Sequence, residues 1–176
     1  GYGHTTRLVD GAVAGASGVA GVTACAIDVS TIDDAGWETL NQAGGIIFAT
    51  PTYMGGISAQ FKAFADASAK VWVTQGWKDK VAGGMTVSNS PSGEKQVTLQ
   101  YLATLASQHS MVWVSIGMMP GKYNEVHPEL NRLGSAMGVK SEAENAPPEE
   151  TPPAGDIETA RLYGVRVAQL AKKIHG

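Results

Sequence analysis

Three short segments of this 176-residue chain carry the residue types that hold small polar molecules, and each adjoins an apolar run or a helical pattern. The first is Gly1-Tyr2-Gly3-His4-Thr5-Thr6. Its two glycines permit a tight turn that presents N–H groups, the helix that follows adds the positive end of its dipole, and two hydroxyls can donate to phosphate oxygens. Such a nest binds a phosphate monoester without a lysine. It lacks the third glycine of a dinucleotide fingerprint and the GK[ST] of a Walker loop. The second segment is Thr50-Pro51-Thr52-Tyr53-Met54-Gly55-Gly56, between the apolar GIIFA and a helical pattern. A proline-ordered backbone, a flat ring, a pliable methionine and two glycines suit a planar heteroaromatic ring held edge-on. The third is Ser88-Asn89-Ser90-Pro91-Ser92-Gly93-Glu94, whose small polar groups can wrap a ring edge before the next helix starts. Taken singly, each segment reads equally as an ordinary turn: a terminal remnant, a strand-to-helix bend, a polar loop with a helix cap. No His/Asp/Glu spacing suggests a metal, and no GxSxG marks a hydrolase nucleophile.

The elements that position these loops follow from the hydrophobic pattern, which switches period along the chain. Thr5–Ala16 reads as a helix, with Leu8, Val9, Ala12, Val13 and Ala16 on one stripe. Val22–Asp28 reads as a buried strand, Asp33–Asn41 as a weak helix, and Gly44–Ala49 as a second strand. Ser58–Ala69 is a helix carrying Phe61, Phe64, Ala65 and Ser68; Val81–Ser88 and Met111–Ile116 are further strands around a helix from Glu94 to Ser107. A last helix runs from Asp156, its expected N-cap, to Ile174. Apolar strands alternating with helices predict an α/β fold, a doubly wound parallel sheet with helices on both faces. Ligands of such sheets bind beyond the carboxyl ends of the strands, where the loops above fall. Gly117–Gly155 breaks the rhythm; its proline- and glutamate-rich end predicts a surface excursion on a single domain spanning 1–176. Gly1–His4 resembles a loop that follows a strand, so roughly ten or fewer preceding residues are expected to supply that strand.

Composition narrows the class. Charged residues are 16% of the chain and hydrophobic ones 43%, against a disordered tail. The net charge of −3 offers no footprint for nucleic acid or an anionic membrane. No apolar run approaches the ~18 residues of a membrane span and no leader pattern is visible, which predicts a cytoplasmic protein. The one cysteine, Cys25, excludes an internal disulfide framework and is expected as a small buried hydrophobe.

In this order and on these elements, the loops resemble the flavodoxin-like FMN proteins, most of all the tryptophan-repressor-binding-protein-like NAD(P)H:quinone oxidoreductases. GYGHTT is similar to that family's FMN phosphate loop, and TPTYMGGISAQFKAFAD to its isoalloxazine loop and following helix. SNSPSGEKQVTLQYLATLASQHSMVWV is similar to its third flavin loop, helix and last strand, and NRLGSAMG and ARLYGVRVAQLAKK to its C-terminal part. The resemblance implies phosphate contacts from Gly1, Tyr2, Gly3, His4 and Thr5. It implies ring contacts from Pro51, Thr52, Tyr53, Met54 and Gly55, and from Ser88, Asn89, Ser92 and Gly93. It further implies His109 as the catalytic histidine beside the flavin and Trp72 as an aromatic near the nicotinamide or quinone. Tyr53 stands where many relatives carry a cation, and Gln108-His109 where a histidine pair is common.

The implied activity is two-electron reduction of quinones by NADH or NADPH through a ping-pong cycle on FMN, in a homodimer or homotetramer with apolar surface around Trp72 and Met118–Met119. Two other readings remain open here: a flavodoxin-type electron carrier, and a flavin-binding scaffold for a partner protein. Turnover of NAD(P)H with benzoquinone separates the enzyme from both.

Overall fold

The computed structural model describes residues 2–176. Its centre is β2 (Val81–Ser88), buried along its length up to Val87 and therefore built of small and apolar residues that can face helices on both sides. Strand β1 (Gly45–Pro51) pairs with it in parallel, Gly45 opposite Val81 through Pro51 opposite Val87. The other edge of β2 takes two parallel partners in succession. Strand β3 (Val112–Trp113) lies along Val81–Ala82, and β4 (Val139–Glu142) along Met85–Ser88.

At the change of partner a tyrosine completes the ladder. Tyr163, on the terminal helix, donates its hydroxyl to the Val114 carbonyl at 2.6 Å and accepts from the Gly84 N–H at 3.2 Å. Burial pushes this phenol up to about 12, so it remains a donor throughout the neutral range.

Helices cover both faces. On one lie α1 (His4–Ser17) and the terminal helix α6 (Ala154–His175), packing Leu8, Ala12, Tyr163 and Val167 over Val81, Met85 and Val139. On the other lie α2 (Asp34–Gln42), α3 (Ala59–Ala67), its short continuation α4 (Ala69–Trp72), and α5 (Lys95–Gln108). There Phe48, Phe61, Phe64 and Trp77 form a core with Leu99 and Leu102. Local chemistry sets the starts of two of these helices: Asp33 accepts from the Gly36 N–H at 2.8 Å, and Ser58 from the Phe61 N–H at 3.2 Å. Helices α1 and α6 approach so closely that a Cβ at Gly164 would lie 2.1 Å from the Ala12 carbonyl oxygen. Only glycine allows that contact.

The expected α/β architecture is present, with four corrections. Val22–Asp28 joins no ladder among the described residues; Ile27 packs partly against the α2 side of the core, and Cys25 is exposed instead of buried. An apolar run becomes a strand where another strand offers it N–H and C=O groups, and none of the described residues does so here. The expected strand at Met111–Ile116 pairs over Val112–Trp113 alone, because β4 takes the rest of that edge. The region 117–155 is accordingly more than a surface excursion, since it supplies β4 with Val139 and Ser141 wholly buried. Asp156 is not an N-cap. Helix α6 begins at Ala154 after Pro153, and Asp156 is buried in its first turn. No helix among the described residues is long and apolar enough to cross a membrane.

Candidate functional site

Parallel strands bring their carboxyl ends to one edge, and here Pro51 and Ser88 finish side by side. Three connections gather the loops at that edge. The Thr52 N–H donates to the Val87 carbonyl at 2.9 Å, the Ala143 N–H to the Ser88 carbonyl at 3.0 Å, and the His4 Nε2 to the Ala146 carbonyl at 2.9 Å. The third bond draws the N-terminal turn onto the proline-rich segment that continues from β4.

The N-terminal turn is built on Gly3, whose φ of +93° few residues other than glycine adopt. Helix α1 starts directly after it, and no side chain among the described residues caps that start. Its first N–H groups are therefore free to meet an anion. Tyr2 is exposed and Thr5 half-buried beside them. Gly1, expected to contact phosphate, lies outside the described residues.

After β1 the chain makes a tight turn. Tyr53 and Gly56 exchange backbone hydrogen bonds of 2.8 and 3.1 Å, with Met54 at φ +46° and Gly55 at φ +85° between them. Both central residues are left-handed, the pattern of a type I′ turn, and methionine is an uncommon choice for it. Strain at a fully exposed side chain is a mark of function more than of packing. A Cβ added at Gly55 or Gly56 would meet nothing within 4 Å, so this backbone faces open space. Thr52 behaves differently from its neighbours. It is buried, and its hydroxyl bonds those of Thr86 and Thr98 at 2.8 Å each, so its side chain anchors the turn from below. Pro51 is the last residue of β1 and half-buried.

The loop after β2 carries Asn89, Ser90, Pro91 and Ser92 on the surface and then two successive left-handed residues, Gly93 at φ +49° and Glu94 at φ +54°. A Cβ at Gly93 would fall 2.4 Å from the Ser88 Oγ, so glycine is required for the loop to close on its own root. That Ser88 hydroxyl is buried and has no hydrogen-bond partner among the described residues. An orphaned buried hydroxyl directly beneath this loop is an observation that asks for a partner from outside the chain.

Two expected site residues are elsewhere. His109 caps the far end of α5, near the amino ends of the strands, so the length of β2 separates it from the loops: seven steps, roughly 23 Å. The residue is 2% exposed, its ring packs against Trp77 at 4.5 Å between centroids with the planes tilted by 41°, and it bonds Ser68 at 2.8 Å. Ser68 donates its one proton to the Ala65 carbonyl, so the His109 Nε2 is the donor in their bond. Burial lowers the pKa of this histidine, and it is a neutral core residue of its own chain. Trp72 ends α4 at the same far edge, 46% exposed. Sequence reasoning also passed over Lys95, Thr86 and Thr98. A lysine or threonine within a helix or strand gives no pattern signal, and burial was what distinguished them.

This geometry is that of a flavodoxin-like fold. The family model described as NADPH-dependent FMN reductase matches residues 34–124. Flavodoxin FldP of Pseudomonas aeruginosa is 40% identical over 99% of this chain and 94% of its own length. An NAD(P)H dehydrogenase (quinone) of Archaeoglobus fulgidus is 32% identical over 78% of this chain, which spans 64% of that protein. The crystal structure of a flavodoxin, WrbA-like protein from Agrobacterium tumefaciens superposes with a TM-score of 0.78 at 43% identity, covering 99% of this chain and 93% of that one. The chain belongs to the NADPH-dependent FMN reductase family. FMN is its cofactor and NAD(P)H its co-substrate. The residues at the loop edge fit the group: an uncapped helix start for the phosphate, an open glycine turn for the ring, and the free Ser88 hydroxyl for a polar edge.

Proposed function

We propose that this chain is an FMN-dependent NAD(P)H:quinone oxidoreductase that works by a ping-pong cycle. The observation that carries the reading is the open rim. Tyr53, Met54, Asn89, Ser90 and Ser92 all present themselves to solvent around the turn, leaving one side on which a nicotinamide and then a quinone can take turns. FMN supplies the hydride acceptance and the two-electron delivery. The protein's part is to hold and polarise. In this reading the N–H groups at the start of α1 bind the phosphate, and the backbone of Tyr53–Gly56 orients the ring. The N–H groups of Asn89, Ser90, Ser92 and Gly93 act as fixed dipoles that stabilise negative charge on the ring without reorganising.

The second reading, an electron carrier of flavodoxin type, is favoured by the name of the relative at 40% identity. Steady NADH or NADPH oxidation with benzoquinone, at a rate that saturates in each substrate with parallel double-reciprocal lines, supports the enzyme. Reduction of bound FMN through a partner reductase alone supports the carrier.

Trp72 and the exposed Val73 stand at the edge away from their own chain's loops. In this reading they meet the flavin face of a second copy, in a homodimer or homotetramer. Sedimentation at micromolar concentration, with Trp72→Ala compared against the wild type, tests that arrangement; a monomeric wild type counts against it.

A further inference from the structure

Lys95 is the first residue of α5, directly beneath the loop that follows β2. Its side chain is 0% exposed. A wholly buried lysine is rare, and a cation in the first turn of a helix opposes the helix dipole, so two general tendencies run against it here. Its Nζ donates to the carbonyl oxygen of Ser90 and, at 3.3 Å, to that of Pro91. Both carbonyls belong to the loop of Asn89, Ser92 and Gly93. The Ser90–Pro91 peptide has no N–H, but with the Pro91 carbonyl turned down toward the cation the Ser92 N–H of the same peptide turns up, toward the solvent edge.

We propose that Lys95 is a positioning residue of the flavin site, fixing the Ser88–Glu94 loop with the Ser92 N–H outward and, through its sealed charge, favouring the reduced state of bound FMN. This rests on the reading of that loop as a flavin-contacting one. A neutral donor would tie two carbonyls without the desolvation cost of an ammonium, so the charge itself needs a reason. A neighbouring site that gains two electrons supplies it, because Coulomb attraction persists where water is excluded.

The groups facing Lys95 come from three elements. Glu142 on β4 and Asp156 on α6 favour its charged form, while Lys140 on β4 and Arg132 from the segment between β3 and β4 oppose it. Burial outweighs the acids and brings the ammonium down to about 8, still charged at neutral pH.

The test compares the wild type with Lys95→Met, which removes donor and charge, and Lys95→Gln, which restores a neutral donor. Three quantities are read: hydrogen exchange in FMN-free protein of amides 95, 97 and 98, which donate to the Ser92 and Glu94 carbonyls of the loop, the dissociation constant for FMN, and its midpoint potential. In Lys95→Met those amides are expected to exchange at least tenfold faster, and oxidised FMN to bind about tenfold more weakly. Reduced FMN is expected to lose a further tenfold, which for a two-electron couple is a midpoint lower by about 30 mV. Lys95→Gln is expected to recover exchange protection but not the potential. Wild-type exchange at amides 95, 97 and 98 in Lys95→Met overturns the positioning role, and an unchanged potential in both variants overturns the role of the charge. A wild type that fails to bind FMN overturns the flavin reading instead, while the exchange data still judge the loop.

Discussion

Thr52 and Thr98 meet hydroxyl to hydroxyl at 2.8 Å beneath the Tyr53–Gly56 turn, and Thr86 joins the same Thr52 oxygen at the same distance from β2. Loop, helix and strand are thus joined at one buried point. Thr52→Val keeps the volume and leaves two buried hydroxyls without this partner, which costs about 1–3 kcal/mol. Urea unfolding should show that loss as a lower midpoint with an unchanged slope. FMN affinity should fall as well, although the wild-type Thr52 side chain is directed into the protein.

Gly3→Asp introduces two faults at once. The position has φ +93°, and a Cβ there would press on Pro148 at 3.0 Å. The new carboxylate would also stand where the phosphate is expected. FMN affinity should drop at least tenfold, about 1.4 kcal/mol. Riboflavin, which has no phosphate, should lose distinctly less, and fluorescence quenching of the two ligands separates strain from repulsion.

His109 predicts a pH response of stability. Its folded pKa lies below the ordinary histidine value because burial disfavours the charged ring. The unfolded chain therefore binds the proton first, and stability is lost as pH falls from about 6.5 through the folded pKa. His109→Phe removes that proton. The stability of the wild type relative to this variant should decline as pH falls through that window, in denaturant titrations at matched ionic strength.

Asp156 accepts from Arg132 Nε at 2.8 Å and Nη2 at 3.1 Å, from the Ser141 hydroxyl at 2.8 Å, and from the Glu142 N–H at 3.0 Å. Asp156→Ala strands Arg132 with Glu142 as its remaining carboxylate. The expected loss is about 1–3 kcal/mol, the cost of leaving the buried Ser141 hydroxyl without its acceptor, since Arg132 is partly exposed and keeps Glu142. Amide exchange at residues 139–142 should quicken more than at β1, since the carboxylate binds β4 to α6.

The loops were legible because turn chemistry is local. Glycine pairs, prolines and hydroxyls after apolar runs mark strand ends whatever lies elsewhere in the fold, and Val81–Ser88 was bounded as it is observed. Contacts across the chain left no such mark. Val139–Glu142 is four residues long with three of them polar, so its pairing with β2 is decided by β2 and not by its own pattern. Asp156 looked like a helix cap because an aspartate before an apolar stripe usually is one; Arg132, 24 positions away, draws it into the interior instead. His109 followed the resemblance and not the residues. Its neighbours in the fold, Ser68 and Trp77, come from segments that no local reading connects to it.

The two strands that share one edge of β2 leave a practical opening. Chain departs from that edge after Val114, bonded to Ala82, and rejoins it at Val139, opposite Met85. Departure and return are about three residues apart along β2, roughly 10 Å. Within the excursion, the exposed turn at Glu125–His127 can lengthen without altering the register on either side, whereas Ile116, Asn131 and Arg132 are built into the fold. A reporter domain whose termini lie that close together could be grafted there as a signal of events at the neighbouring rim.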